Sequence, residues 1–143
     1  MRLLLDSNAF LWAYARPEEL STASRRAIAD TANDRWVSIA SLWEIAIKLS
    51  IGKLSLPNDN LTVAIAHLAV TVMPISVMHV GRAQSLPFHH RDPFDRMMIA
   101  QAMKDGLILW MNSSAARMQD RAVARRGVVD FRAFLDQLDQ IRR

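Results

Sequence analysis

Three consecutive leucines, Leu3-Leu4-Leu5, closed by Asp6, limit what this chain can fold into. A short unbroken apolar run is buried on both faces, as strands of a parallel sheet are, whereas a half-exposed strand would alternate. An acid directly after such a run stands at the carboxyl edge of the sheet. In open α/β proteins that edge is where ligands and metals bind.

The rest of the chain continues the pattern. Asn8–Ala15 reads as a short helix ending before Pro17, and Ser21 caps a second helix reaching about Asp30. Trp36–Ser38 is a strand, Ser41–Ser50 an apolar helix with Gly52 as its stop, and Asn60–Val70 a further helix. Thr71–Ile75 reads as a strand with Pro74 near its end, followed by a helix over Ser76–Ser85 and a loop over Phe88–Arg91. The clearest start signal is Asp92-Pro93-Phe94-Asp95: an N-cap, a proline at the first helical position, and an acid in the first turn. That helix runs to Asp105, Gly106 ends it, and Leu107–Trp110 is a buried strand. Residues 112–127 show no firm periodicity, whereas Phe131, Phe134, Leu135, Leu138 and Ile141 follow helical spacing. Strands alternating with helices predict an α/β fold with a mainly parallel sheet flanked by helices. No linker or repeat divides the 143 residues, so a single domain over 1–143 is expected.

Composition narrows the function classes. No apolar run approaches the roughly 20 residues of a transmembrane helix, and the N-terminal leucines stop too soon for a signal peptide. A cytoplasmic protein without membrane attachment is expected. Cysteine is absent, which removes disulfides, thiolate nucleophiles and thiolate metal sites. The net charge is +4, and the basic residues are mostly arginine, with lysine only at Lys48, Lys53 and Lys104. Arginine binds phosphate bidentately, so this bias suits nucleic acid; solvated helix faces explain it equally well.

Three acids occupy pointed positions. Asp6 ends the first strand, although it can also simply cap the helix that follows, as can Ser7 or Asn8. Glu44 lies among Leu42, Trp43, Ile45, Ala46 and Ile47, and a carboxylate enclosed by such neighbours must be paired, protonated or metal-bound. An arginine from elsewhere in the chain is the plain partner. Asp92 and Asp95 open one helix; capping needs only Asp92, which leaves Asp95 for a metal and makes Asp92 a cap rather than a direct ligand. The pair His89-His90 puts its rings on opposite sides of an extended chain and lacks the context of a zinc site. Met97, Met98, Met103, Trp12 and Trp43 suit packing in the core or at an interface. A glycine-rich phosphate loop and a G-x-S-x-G elbow are both missing. An aspartyl-phosphate phosphatase would carry a second acid where Asn8 stands.

Four segments together resemble the PIN-domain ribonucleases, and within them the VapC-type toxins of bacterial toxin–antitoxin pairs. They are Arg2-Leu-Leu-Leu-Asp-Ser-Asn8, Val37-Ser-Ile-Ala-Ser-Leu-Trp-Glu-Ile-Ala-Ile-Lys48, Gly52-Lys-Leu-Ser-Leu-Pro57 and His89-His-Arg-Asp-Pro-Phe-Asp-Arg-Met-Met-Ile-Ala-Gln-Ala102. The resemblance covers residues 1–110 and is faint beyond 117. It implies a parallel sheet between helices, an acidic pocket for Mg²⁺ or Mn²⁺, and hydrolysis of RNA by a metal-activated water. Asp6, Glu44 and Asp95 match the family's acids, with Ser7, Asn8, Asp92 and Ser113 as auxiliary positions. It also implies an antitoxin partner lying near the acidic pocket and a homodimer through the early helices; an arginine from that partner would compensate the pocket's charge, and this chain offers Trp12, Tyr14 and Trp43 as aromatic anchors of the kind favoured at interfaces. The chain departs from the family pattern after Trp110. Family members usually carry a Thr-x-Asp segment there, whereas this chain reads Met111-Asn-Ser-Ser-Ala-Ala-Arg117, with no carboxylate before Asp120. Two readings follow: an active toxin working with three acids, or a weakened PIN-fold module that binds RNA or a partner.

Overall fold

A computed structural model describes residues 1–86, 92–111 and 121–123. The chain opens with β1 (Arg2–Leu5), α1 (Ser7–Ala15), a 3-10 turn and α2 (Thr22–Ala29), then β2 (Asp34–Ser38) and α3 (Ile39–Ser50). A second 3-10 turn, α4 (Leu61–Leu68), β3 (Thr71–Met73) and α5 (Val77–Gln84) follow. The described chain closes with α6 (Pro93–Asp105), β4 (Ile108–Met111) and β5 (Arg121–Val123).

The sheet order is β3-β2-β1-β4-β5. The first four strands are mutually parallel, and β5 joins β4 antiparallel. This is the mainly parallel sheet between helices that the sequence predicts. β1 is central because its leucines supply apolar surface on both faces. Leu3 and Leu5 join Phe10, Val37, Ile45, Ala64 and Trp110 in the core under α1–α4. Leu4 joins Met73, Met98, Ile99, Leu107 and Leu109 in the core under α6. Full burial of one such leucine stabilises the fold by about 1.5–3 kcal/mol. β3 stops at Met73 because Pro74 has no amide hydrogen to extend the ladder, a defect tolerable on an edge strand.

Helix boundaries follow their local chemistry. The Ser21 side chain accepts from the Ser24 amide to start α2, and Asn60 accepts from Thr62 and Val63 to start α4. Gly106 ends α6 in the left-handed region (φ 66°), where a side chain would be strained. The expected helix near the C-terminus and the loop carrying His89 and His90 lie outside the described residues. Among the described residues no helix is long and apolar enough to cross a membrane.

Candidate metal centre at the carboxyl edge of the sheet

Connections between parallel strands reverse the chain, so the helices flanking β1, β2 and β4 present their N-termini at the carboxyl edge of the sheet. Chain order places β1 beside both β2 and β4, so the sheet changes winding direction between β1 and β4. Asp6 lies at that switch point. Its amide donates to the Trp110 carbonyl at 3.0 Å, its Oδ1 accepts from the Ala9 amide at 2.7 Å as the N-cap of α1, and only 6% of the residue is exposed. Ser38 caps α3 with its Oγ accepting from the Ala40 amide at 3.0 Å. Asp92 caps α6, its Oδ1 accepting from the Phe94 amide at 2.9 Å and the Asp95 amide at 3.0 Å.

α3 and α6 meet above this edge. The Ser41 hydroxyl donates to the Met98 sulfur at 2.8 Å, and the rings of Trp43 and Phe94 pack edge to face with centroids 5.5 Å apart. About one helical turn separates Ser41 from Glu44 and Met98 from Asp95, so these contacts bring the two acids together. Glu44, Asp92 and Asp95 each offer a carboxylate oxygen, and the three atoms lie within 4.8 Å of one another. Glu44 and Asp95 are two of the three acids expected to converge. The third member is Asp92, whose capping does not keep it from the cluster. Asp6 reaches the same edge but is not a member of that set among the described residues.

Glu44 differs from expectation in its partner. It is paired, as a carboxylate among such neighbours must be, but with Lys48 of its own helix at 2.9 Å and not with an arginine from elsewhere in the chain. The Glu44 side chain is only 16% exposed, although α3 turns an apolar face to solvent beside it. Ile39, Trp43 and Ile47 are exposed there, Trp43 to 63%. Trp12 and Tyr14, in contrast, pack partly buried against the core. Ser7 is buried, its hydroxyl without a hydrogen-bond partner among the described residues, and Asn8 is exposed. Arg96, adjacent to Asp95, donates to the carbonyls of Ala83 (2.9 Å) and Leu86 (3.2 Å) and so ties α6 to the end of α5. Ser113 lies outside the described residues.

The donor set suits a hard cation. Three carboxylates at this separation repel one another, Lys48 offsets one charge, and oxygen-only donors match Mg²⁺ or Mn²⁺ rather than a soft metal. Sequence reasoning placed Asp92 only among the auxiliary positions, as a cap, and missed Lys48 as the partner of Glu44. The i,i+4 spacing of Glu44 and Lys48 was the available signal for the second.

The chain belongs to the PIN-domain family, whose model matches residues 3–120. This agrees with the resemblance read from its four segments. Among curated proteins none matches it significantly. Among solved structures it is similar to a chain in the crystal structure of VapBC2 from Rickettsia felis bound to a DNA fragment from their promoter. The TM-score is 0.60 at 15% sequence identity, over 79% of this chain and 89% of that one. At that identity the similarity establishes the shared fold.

Proposed function

We propose that this PIN-domain protein is a metal-dependent endoribonuclease, the VapC-type toxin of a toxin–antitoxin pair. The observation that carries the reading is the convergence of Glu44, Asp92 and Asp95 within 4.8 Å at the sheet edge that also carries Asp6. Glu44, Asp92 and Asp95 would hold Mg²⁺ or Mn²⁺, with Asp6 adding a carboxylate from the end of β1. When bound, the cation lowers the pKa of a coordinated water and offsets charge on the attacked phosphate.

The chain's own groups do the rest. Asp92 is fixed by its two cap bonds, so it needs no reordering to serve the site. Burial and the Ala9 amide hold Asp6 in one orientation. The N-termini of α1, α3 and α6 lie at the carboxyl edge, where their partial positive charge favours an anionic phosphate despite the acids. RNA as substrate is supported by the family resemblance and by the net charge of +4. An antitoxin partner is supported by the similarity to a chain of the VapBC2 complex. An arginine from that partner would compensate the carboxylates, and a homodimer through the early helices follows from the resemblance alone.

The test is RNA cleavage by the purified protein in Mg²⁺ or Mn²⁺, repeated in EDTA. We expect cleavage that disappears on chelation; cleavage unchanged in EDTA defeats the mechanism. A second reading, a PIN-fold module with little or no catalysis, is favoured by the lack of a carboxylate across residues 111–117. It predicts cation binding or partner binding without turnover.

A further inference from the structure

We infer that Trp43, braced by Phe94, is a stacking platform for a nucleobase next to the phosphate held at the carboxylate cluster. The inference rests on the ribonuclease reading and adds to it how the substrate is gripped. An indole is among the largest apolar side chains, and burial is its usual resting state. Trp110 is buried and Trp12 and Trp36 are half-buried, yet Trp43 is 63% exposed. Its position is as particular as its exposure. Two helices each place an aromatic residue immediately before a clustered acid, Trp43-Glu44 on α3 and Phe94-Asp95 on α6. The two rings meet at an interplanar angle of 74° with centroids 5.5 Å apart. A near-perpendicular neighbour steadies the indole and cannot cover both of its faces.

An aromatic face beside a phosphate-binding centre is what single-stranded nucleic acid recognition uses. Every base has a π-face, so stacking grips the strand whatever its sequence, while the charged groups engage the backbone. The alternative occupant is an apolar protein segment, which would lie along the α3 stripe and cover Ile39 and Ile47 together with Trp43. The nucleobase is favoured because the Trp43 ring meets Phe94 of α6, the residue directly before the clustered Asp95.

The experiment follows tryptophan fluorescence of the intact protein in Mg²⁺ by stopped flow, ahead of turnover. A short single-stranded RNA is compared with an abasic oligomer of equal length. We expect RNA to quench and the abasic oligomer not to. Trp43→Ala should remove that quench and weaken RNA binding about 5- to 140-fold, raising KM more than it lowers kcat, and Trp43→Phe should restore most of the affinity. Because Trp43 is exposed, neither variant removes core packing. Three results overturn the proposal: quenching that persists in Trp43→Ala, an unchanged KM in that variant, or no response of the unsubstituted protein to RNA. Loss of antitoxin co-purification in Trp43→Ala with RNA binding intact also overturns it and makes Trp43 a protein anchor. A protein that never cleaves RNA, but loses RNA quenching with Trp43→Ala, keeps the platform and sinks the nuclease reading instead.

Discussion

Asp6 and Asp92 do the same local job at the same edge of the sheet, yet only one joins the acidic cluster. Each caps a helix through a carboxylate oxygen. Asp92 opens α6, which packs against α3, so Glu44 and Asp95 lie beside it. Asp6 opens α1 from the central strand and is buried at the seam between β1 and β4. The difference teaches that a cap residue is neither excluded from a metal site nor recruited to one by its capping. The helix that packs alongside decides.

Substitution to asparagine separates the two roles, because asparagine caps about as well as aspartate but lacks the charge. The largest effect should be on turnover. Asp6→Asn and Asp95→Asn should each lower RNA cleavage by on the order of 100-fold or more, as losing several kcal/mol of charge stabilisation requires. Circular dichroism of both variants should match the unsubstituted chain. Wild-type turnover in Asp6→Asn would mean that this residue is only a cap, and the comparison would then divide a structural acid from a functional one.

Asp92 provides the intermediate effect. Asp92→Ala should cost about 1 kcal/mol of stability in urea denaturation and weaken Mn²⁺ binding in calorimetry, whereas Asp92→Asn should weaken Mn²⁺ binding alone. If Mn²⁺ affinity is untouched in both, Asp92 does not belong to the metal centre, and its likeness to Asp6 becomes complete.

The smallest effect concerns Lys48. Its i,i+4 pair with Glu44 contributes about 0.3–0.5 kcal/mol, so Lys48→Met should barely change stability. It should tighten Mn²⁺ binding, since a competing cation has been removed from Glu44. Weaker Mn²⁺ binding would show instead that Lys48 orients Glu44 for the metal.

Much of this architecture is legible in local sequence. Leu3-Leu4-Leu5 identifies β1 because three apolar residues in a row need burial on both faces, and the sheet supplies it. Asp92, Pro93 and Gly106 bound α6 because capping, a fixed φ and a left-handed φ are properties of single residues. The apolar surroundings of Glu44 signal that it needs a partner but not which one, and Lys48, one helical turn on, supplies it. Whether Trp43 meets a core or solvent depends on what packs against α3. The strand β5 was not legible either. Arg121-Ala-Val123 is short and lacks a strong pattern, and it is a strand because β4 offers it a hydrogen-bonding edge.

The placement of β1 also sets a timetable. Leu3 pairs with Ile108 and Arg2 with Asp34, so the first strand made is also the one whose second neighbour is the last parallel strand to arrive. At about 5–20 residues per second, β4 is synthesised roughly 5–20 s after β1. Through that interval the leucine strand has a partner on one side only, and the seam that buries Asp6 does not yet exist. The centre is therefore completed only after nearly the whole described chain has been made. A product cut short before β4 would contain every acid of the cluster and still lack the strand that closes the seam over Asp6.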